Sequence, residues 1–289
     1  MTKNRAWWSL HAIVFIWGFT GILGKEITLS PIPLVFWRTL IAISGVLLVV
    51  IITKKKMMLP WRRVMQLALV GLLIAGHWIA FFTSIKQSNI STALTVLSTN
   101  AIFTSLVAPL ILGGRWKISE IILGSVGTLG LSLIFHFEGQ YTMGILWSLL
   151  AAFLAAIFSS ANARLVRNME PITMTAYELI FANLWVLIYI LLDPQVTVEW
   201  SMLSSRNIFL LGVLGWVATS LPFIISIEVM KKLSPFTCAI AINMEPVYSI
   251  ILALLLYGAD EYMSAGFYWG ALLILSVVFF ETIMSKKRA

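Results

Sequence analysis

The chain is built from apolar blocks of about 20 residues separated by short polar stretches. A block of that length, wound at 1.5 Å per residue, crosses the ~30 Å hydrocarbon layer of a bilayer. Ten such blocks stand out, at roughly 7–25, 33–53, 64–84, 92–112, 119–135, 143–163, 172–192, 207–228, 236–257 and 264–284. Each is expected to be a transmembrane helix. The longest connection, about 193–206, reads DPQVTVEWSMLSSR and opens on an Asp-Pro turn signal. No linker or low-complexity stretch sets off a soluble domain. The pattern predicts an all-α polytopic membrane protein.

Composition agrees. Of 289 residues, 60% are hydrophobic and 11% charged, less than half the charged share that a soluble domain carries. A net charge of +8 would suggest a nucleic-acid partner if the basic residues formed one long face. Instead they fall in short clusters between blocks, and alternate loops differ sharply. Sixteen of the 20 Lys and Arg lie in one set of loops, only Lys25, Lys86 and Arg206 in the other, and Arg38 inside a span. The second set carries most of the loop acids, Glu26, Asp193 and Glu261 among them. Under the positive-inside rule this split places both termini in the cytoplasm. Topology therefore explains the basic charge, and no nucleic-acid partner is expected.

The first block is a full span without a small-residue cleavage site, so it reads as a retained helix. Cys238 is alone, and His11, His77 and His136 are far apart. No disulfide, metal site, cofactor or catalytic nucleophile–base pair is expected from them. The absence of a phosphate-binding G-x-x-x-x-G-K-S/T loop argues against ATP-driven transport by this chain alone.

The chain also repeats itself. SPIPLVFWRTLIA (30–42) aligns with EPITMTAYELIFA (170–182) at an offset of 140, setting Pro31 on Pro171 and Arg38 on Glu178. NAIFTSLVAPLILGG (100–114) aligns with EPVYSIILALLLYGA (245–259) at an offset of 145, setting Asn100 on Glu245 and Gly113 on Gly258. Two units follow, 1–138 and 139–289, with five helices each. Five is odd, so the second unit crosses the membrane in the opposite sense. Inverted repeats of this kind characterise many secondary transporters, whose substrate site lies near the midplane between the halves. Channels are built from them too.

With these features in place the chain resembles, over essentially its whole length, the EamA branch of the drug/metabolite transporter superfamily. The likeness rests on Trp17–Gly18 in the first helix, on Ser30–Pro31 followed by Arg38, and on GHWIAFFTSIKQSNISTAL (76–94). It rests also on EPVYSIILALLLYG (245–258) with its Pro-Val and closing Gly. The resemblance implies alternating-access transport of small metabolites across the cytoplasmic membrane. One departure is clear. Family members commonly place Glu after the closing Gly of helices four and nine, whereas Gly114 and Ala259 stand there here. Asp260 or Glu261 could substitute in the second half.

Three ionisable residues lie inside spans, where each costs about 2.5–3.5 kcal/mol on insertion scales: Arg38, Glu178 and Glu245. Such groups are expected to face the bundle interior. Arg38 and Glu178, at equivalent repeat positions, invite a cross-repeat ion pair. Arg38 could instead fork onto a substrate carboxylate. Glu245 is ~15 Å from either boundary by the helical rise, and is a candidate to carry a proton or to bind a substrate amine. Hydrogen bonding to a neighbouring helix is the structural alternative. Asn100, its repeat equivalent, keeps the hydrogen bonding without the charge. Pro246 clashes with the carbonyl of Ile242 and is a candidate hinge beside that acid.

Further candidates for the cavity wall are Trp17 and Thr20, His77 and Trp78, Thr95 and Ser98, Trp216, and Tyr248. Each of the aromatic residues has packing as its alternative role. Glycine rows at 18–24, 124–130 and 266–270 permit close helix contact, within the chain or in a homodimer.

The leading expectation is a secondary transporter, an exporter of small amphipathic metabolites such as amino acids, with proton coupling as a candidate property. The alternative is a facilitative channel or uniporter; an intramembrane enzyme lacks a visible constellation. The expected partners are a small-molecule substrate and the bilayer.

Overall fold

The structure is a computed structural model that describes residues 1–116, 118–137, 139–198 and 203–287. Side chains at 119–121, 123–125, 127, 128, 135, 259, 260, 278 and 281–287 fall outside the description. Among the described residues every regular element is helical: α1 (Lys3–Trp17), α2 (Thr20–Glu26), α3 (Pro31–Thr53), α4 (Trp61–Gln87), α5 (Ile90–Leu97), α6 (Asn100–Leu112) and α7 (Ile118–Phe137) in the first half. The second half holds α8 (Thr142–Leu165), α9 (Pro171–Leu192), α10 (Ser205–Gly212), α11 (Leu221–Val229), α12 (Pro235–Ile242), α13 (Glu245–Tyr257) and α14 (Ala265–Lys287). A π-helical segment, Val213–Ser220, joins α10 to α11.

Among the described residues eight stretches are long and apolar enough to cross a membrane, and Ala265–Val277 is a shorter apolar helix. The window expected at 119–135 is helical as α7, which packs on α14. The expected boundary at 138–139 falls beside a single tight turn, Gly139–Tyr141, with residue 138 outside the described residues.

Local chemistry sets many of these limits. Pro31, Pro171 and Pro235 open α3, α9 and α12, where the missing N–H costs nothing and the fixed φ suits a first turn. Gly113 and Gly258 close α6 and α13 with positive φ, at the repeat offset of 145.

Three spans that the sequence presents as continuous are broken midway: α1/α2 at residues 18–19, α5/α6 at 98–99 and α12/α13 at 243–244. Each break frees carbonyls that an apolar interior cannot leave unpaired. Thr20 Oγ1 donates to Trp17 O (2.7 Å) and Ser249 Oγ to Gly18 O (2.5 Å). Ser98 Oγ and Thr99 Oγ1 turn back onto Thr95 O (2.6 Å) and Val96 O (2.7 Å). Only glycine fits at position 18, since a Cβ there would stand 2.9 Å from Tyr248 Cβ.

The largest buried apolar cluster runs through α3, α4, α9 and α11, including Leu34, Ile74, Phe82, Leu179 and Ile227. Large apolar side chains such as Leu48, Ile51, Leu191 and Leu255 are exposed on the outside, the surface expected of a protein solvated by lipid. Gly130 and Gly270 face each other across the α7–α14 contact, a Cβ on Gly130 meeting Gly270 O at 2.7 Å. These two glycines are thus used within the chain.

Candidate functional site

The broken helices and the π-segment surround a cavity of about 110 Å³. That is below the ~300–1,000 Å³ of sites for drug-sized ligands, and suits a small solute. Nine of the residues expected there line it: Trp17, Thr20, Arg38, His77, Trp78, Ser98 and Asn100 from the first half, and Glu245 and Pro246 from the second. Both halves therefore contribute charge, Arg38 from one and Glu245 from the other.

Arg38 is 3% exposed. Its Nε donates to Thr219 Oγ1 at 2.9 Å, and the guanidinium carbon lies 4.3 Å from the Trp78 ring centroid and 5.4 Å from that of Phe82. A cation held over aromatic faces recovers part of the cost of leaving water. Glu245 opens α13, where a helix N-terminus favours negative charge, and its Oε1 is 3.3 Å from Thr20 Oγ1. Arg38 and Glu245 interact electrostatically, although no ion pair joins them.

The expected Arg38–Glu178 pair is absent. Glu178 is fully buried outside the cavity and accepts from Asn162 Nδ2 on α8 at 3.2 Å. The α3–α9 contact is made instead by Asn183, whose Nδ2 donates to Phe36 O (2.9 Å) and Thr39 Oγ1 (2.8 Å) on either side of Arg38 in the chain. That turns Arg38 toward the π-segment and Glu178 toward α8. Sequence equivalence in an inverted repeat does not fix the rotation of each helix about its axis.

Three other expected wall residues lie elsewhere. Trp216 is 56% exposed, with Nε1 donating to Ser44 Oγ at 3.0 Å. The wide π turn presents Ala218 and Thr219 to the cavity in its place. Tyr248 packs edge-on against Phe15, 5.4 Å between centroids, because the chain turns between α12 and α13. Thr95 is buried beside the α5/α6 break, its carbonyl bonded to Ser98, and does not line the cavity.

His77 is held by a 2.8 Å contact from Nδ1 to Ala151 O. A carbonyl only accepts, so Nδ1 carries the hydrogen and Nε2 is left as an acceptor. Asn100 Oδ1 accepts from Thr104 Oγ1 (3.1 Å).

Sequence reasoning missed Thr219 and Asn243. Asn243 is 1% exposed, lines the cavity, and its Nδ2 has no hydrogen-bond partner. The signal was present in INMEP: a proline four residues after Ile242 announces a break, and a break redirects the asparagine two residues before the acid.

One end of the bundle, the face bearing Lys25 and Arg206, is tied across the halves. Glu261 is fully buried and pairs with Lys25 Nζ at 2.8 Å. It also accepts from Ile90 N (3.3 Å), Ser91 N (3.0 Å) and Ser91 Oγ (2.9 Å) at the start of α5. Glu26 pairs with Arg206 and accepts from Tyr257 OH at 2.7 Å. Asn207 Nδ2 donates to Thr28 Oγ1 at 2.8 Å. Of the acids near Gly258, Glu261 thus makes the inter-half contact; the side chains at 259 and 260 lie outside the described residues. At the other end the cavity wall reaches Met230, next to Lys231 and Lys232.

A family model described as the EamA-like transporter family matches residues 6–136 and again residues 142–283. The chain belongs to this family. It is a multi-pass membrane protein with the two-repeat fold of the drug/metabolite transporter superfamily, whose members are transporters. A solved structure titled "Crystal structure of protein" is similar over 98% of this chain and 99% of its own, with a TM-score of 0.70 and 17% identity. At that identity the likeness concerns the fold alone. No curated protein matches the chain.

Proposed function

We propose that the chain is a proton-coupled secondary transporter that exports small amphipathic metabolites, amino acids or close relatives, across the cytoplasmic membrane. Ten spans with both termini cytoplasmic are part of this reading, on the strength of the Lys/Arg split between alternate loops. The observation that carries it is the placement of Arg38 and Glu245, from opposite halves, on one small cavity walled by broken helices. A zwitterion with an apolar body matches that wall: a carboxylate toward Arg38, an ammonium toward Glu245, and the body among Trp17, Trp78 and Phe223. The two halves then rock about the cavity, opening it to one side at a time. The ties made by Glu261 and Glu26 support a state closed on the face bearing Lys25, with the cavity reaching toward Lys231.

Proton coupling is assigned to Glu245. The single hydrogen of Thr20 is engaged at 2.7 Å by Trp17 O, which can only accept. The 3.3 Å contact with Glu245 becomes a full hydrogen bond when the carboxyl carries a proton and donates it. Loss of that proton leaves a carboxylate whose charge the substrate ammonium can neutralise, so proton and substrate compete for one group.

Glu245→Gln is fixed in the neutral form. In proteoliposomes it is expected to lose substrate accumulation driven by a pH gradient and the pH dependence of its rate. His77 and Arg38, the other titratable groups on the cavity, stay in place in this variant. An unchanged pH profile would place coupling elsewhere.

A further inference from the structure

Resting on the transporter reading, we propose that Thr219 is the positioning residue of a carboxylate subsite, and that the π-segment exists to place it. The guanidinium of Arg38 has three edges and two faces. The guanidinium carbon lies over the Trp78 ring, 4.3 Å from its centroid, and the Nε edge is bonded to Thr219 Oγ1 at 2.9 Å. Neither Nη1 nor Nη2 has a protein acceptor among the described residues, and Arg38 lines the cavity. The paired Nη edge is the one that matches the two oxygens of a carboxylate.

Thr219 can hold that orientation because its own hydrogen is committed. Its hydroxyl donates to Leu214 O, five residues back, at 2.6 Å. A hydroxyl has one hydrogen, so the oxygen that faces Arg38 can only accept. In an ordinary α-helix such back-bonding reaches the carbonyl three or four residues earlier. The wider π turn, common at functional sites, moves it to the fifth. Ser220 makes the same contact with Gly215 O at 2.9 Å, so the geometry is a property of the segment.

A second acceptor on the segment serves the same wall. Trp17 Nε1 donates to Ala218 O at 3.1 Å. Four residues on, Pro222 has no N–H to compete for that carbonyl. The π-segment thus offers two oxygens to two first-half side chains, and orients both the cation and one aromatic of the cavity. The ligand class that follows is a solute with one planar carboxylate, held by two parallel N–H bonds. An amide or ester at the same place lacks the charge and one acceptor.

The test is tryptophan-fluorescence titration of the purified full chain, since Trp17 and Trp78 line the cavity. The probes are the common L-amino acids, simple monocarboxylates, and the carboxamide of each. Thr219→Val keeps the shape and loses the acceptor; Thr219→Ser keeps the acceptor. The wild-type chain is expected to bind carboxylates in preference to their amides. In Thr219→Val carboxylate affinity is expected to fall about ten- to a hundredfold, the range for a hydrogen bond to a charged group, with amide affinity unmoved. Thr219→Ser is expected to restore it. Equal loss for both probe types, or no rescue by serine, would reduce Thr219 to a packing role and overturn the proposal. Failure of every carboxylate to bind the wild-type chain would also overturn it, while saturable flux of another solute would leave the transporter reading intact.

Discussion

Arg38→Lys is expected to lose transport of carboxylated solutes, with the KM rising at least about a hundredfold in proteoliposomes. The estimate follows from what lysine cannot do. An ammonium is a point charge, so it cannot bond Thr219 along one edge, sit over the Trp78 ring, and still offer two parallel donors. It loses a bidentate charge-assisted pair, and two hydrogen bonds to a charged group are worth about 3–6 kcal/mol together. Charge is retained, so a defect confined to electrostatics would be mild. The thermal midpoint of the variant separates a recognition defect from misfolding. A KM within twofold of wild type would mean that the carboxylate is read elsewhere, with Asn243 the first group to examine.

The second large effect is on stability. Glu261→Ala removes a fully buried carboxylate that takes four donors, one of them Lys25 and two of them backbone N–H groups at the start of α5. Deleting one partner of a buried pair costs about 3–5 kcal/mol, because the groups left behind are neither paired nor hydrated. The Lys25 side chain keeps 30% exposure, which lets water recover part of the loss. A destabilisation of about 2–4 kcal/mol is therefore expected, measured as a lowered Tm in detergent. Lys25→Ala is expected to cost less, since Glu261 would retain its bonds to Ile90 and Ser91. If Glu261→Ala melts with the wild-type chain, the closure at that face does not depend on this carboxylate.

What could be read from the sequence was what is encoded locally. Span length, the prolines at 31, 171 and 235 and the glycines at 113 and 258 act within a turn of their own position, and the helix limits follow them. Arg38 and Glu245 stood out because a charge in an apolar run has few places to go, and both line the cavity. Partner choice was not legible. The repeat set Arg38 opposite Glu178, yet Thr39 and Asn183 fill the contact between those helices and Thr219 takes the arginine. Nor do the breaks interrupt a span-length reading of hydropathy, because a polar pair such as Ser98–Thr99 is outweighed by its apolar neighbours and Ile90–Leu112 still reads as one span. Only Pro246 signalled its break. Trp216 shows the price of assuming a uniform 3.6-residue period: a π turn moved it outward and brought in Thr219, an unremarkable residue in any window.

The central claim is that one cavity, shared by Arg38 and Glu245, is exposed to the two sides in turn with its solute bound. Counterflow measures this directly. Proteoliposomes are loaded with the carboxylated amine that binds most tightly in the fluorescence titration, then diluted into a trace of the same compound carrying a label. An alternating-access carrier returns to the outer face more often with solute on board, so the label is expected to accumulate transiently above its equilibrium level before declining. Monotonic filling to equilibrium, with no overshoot at any internal concentration, would contradict the account and favour a channel.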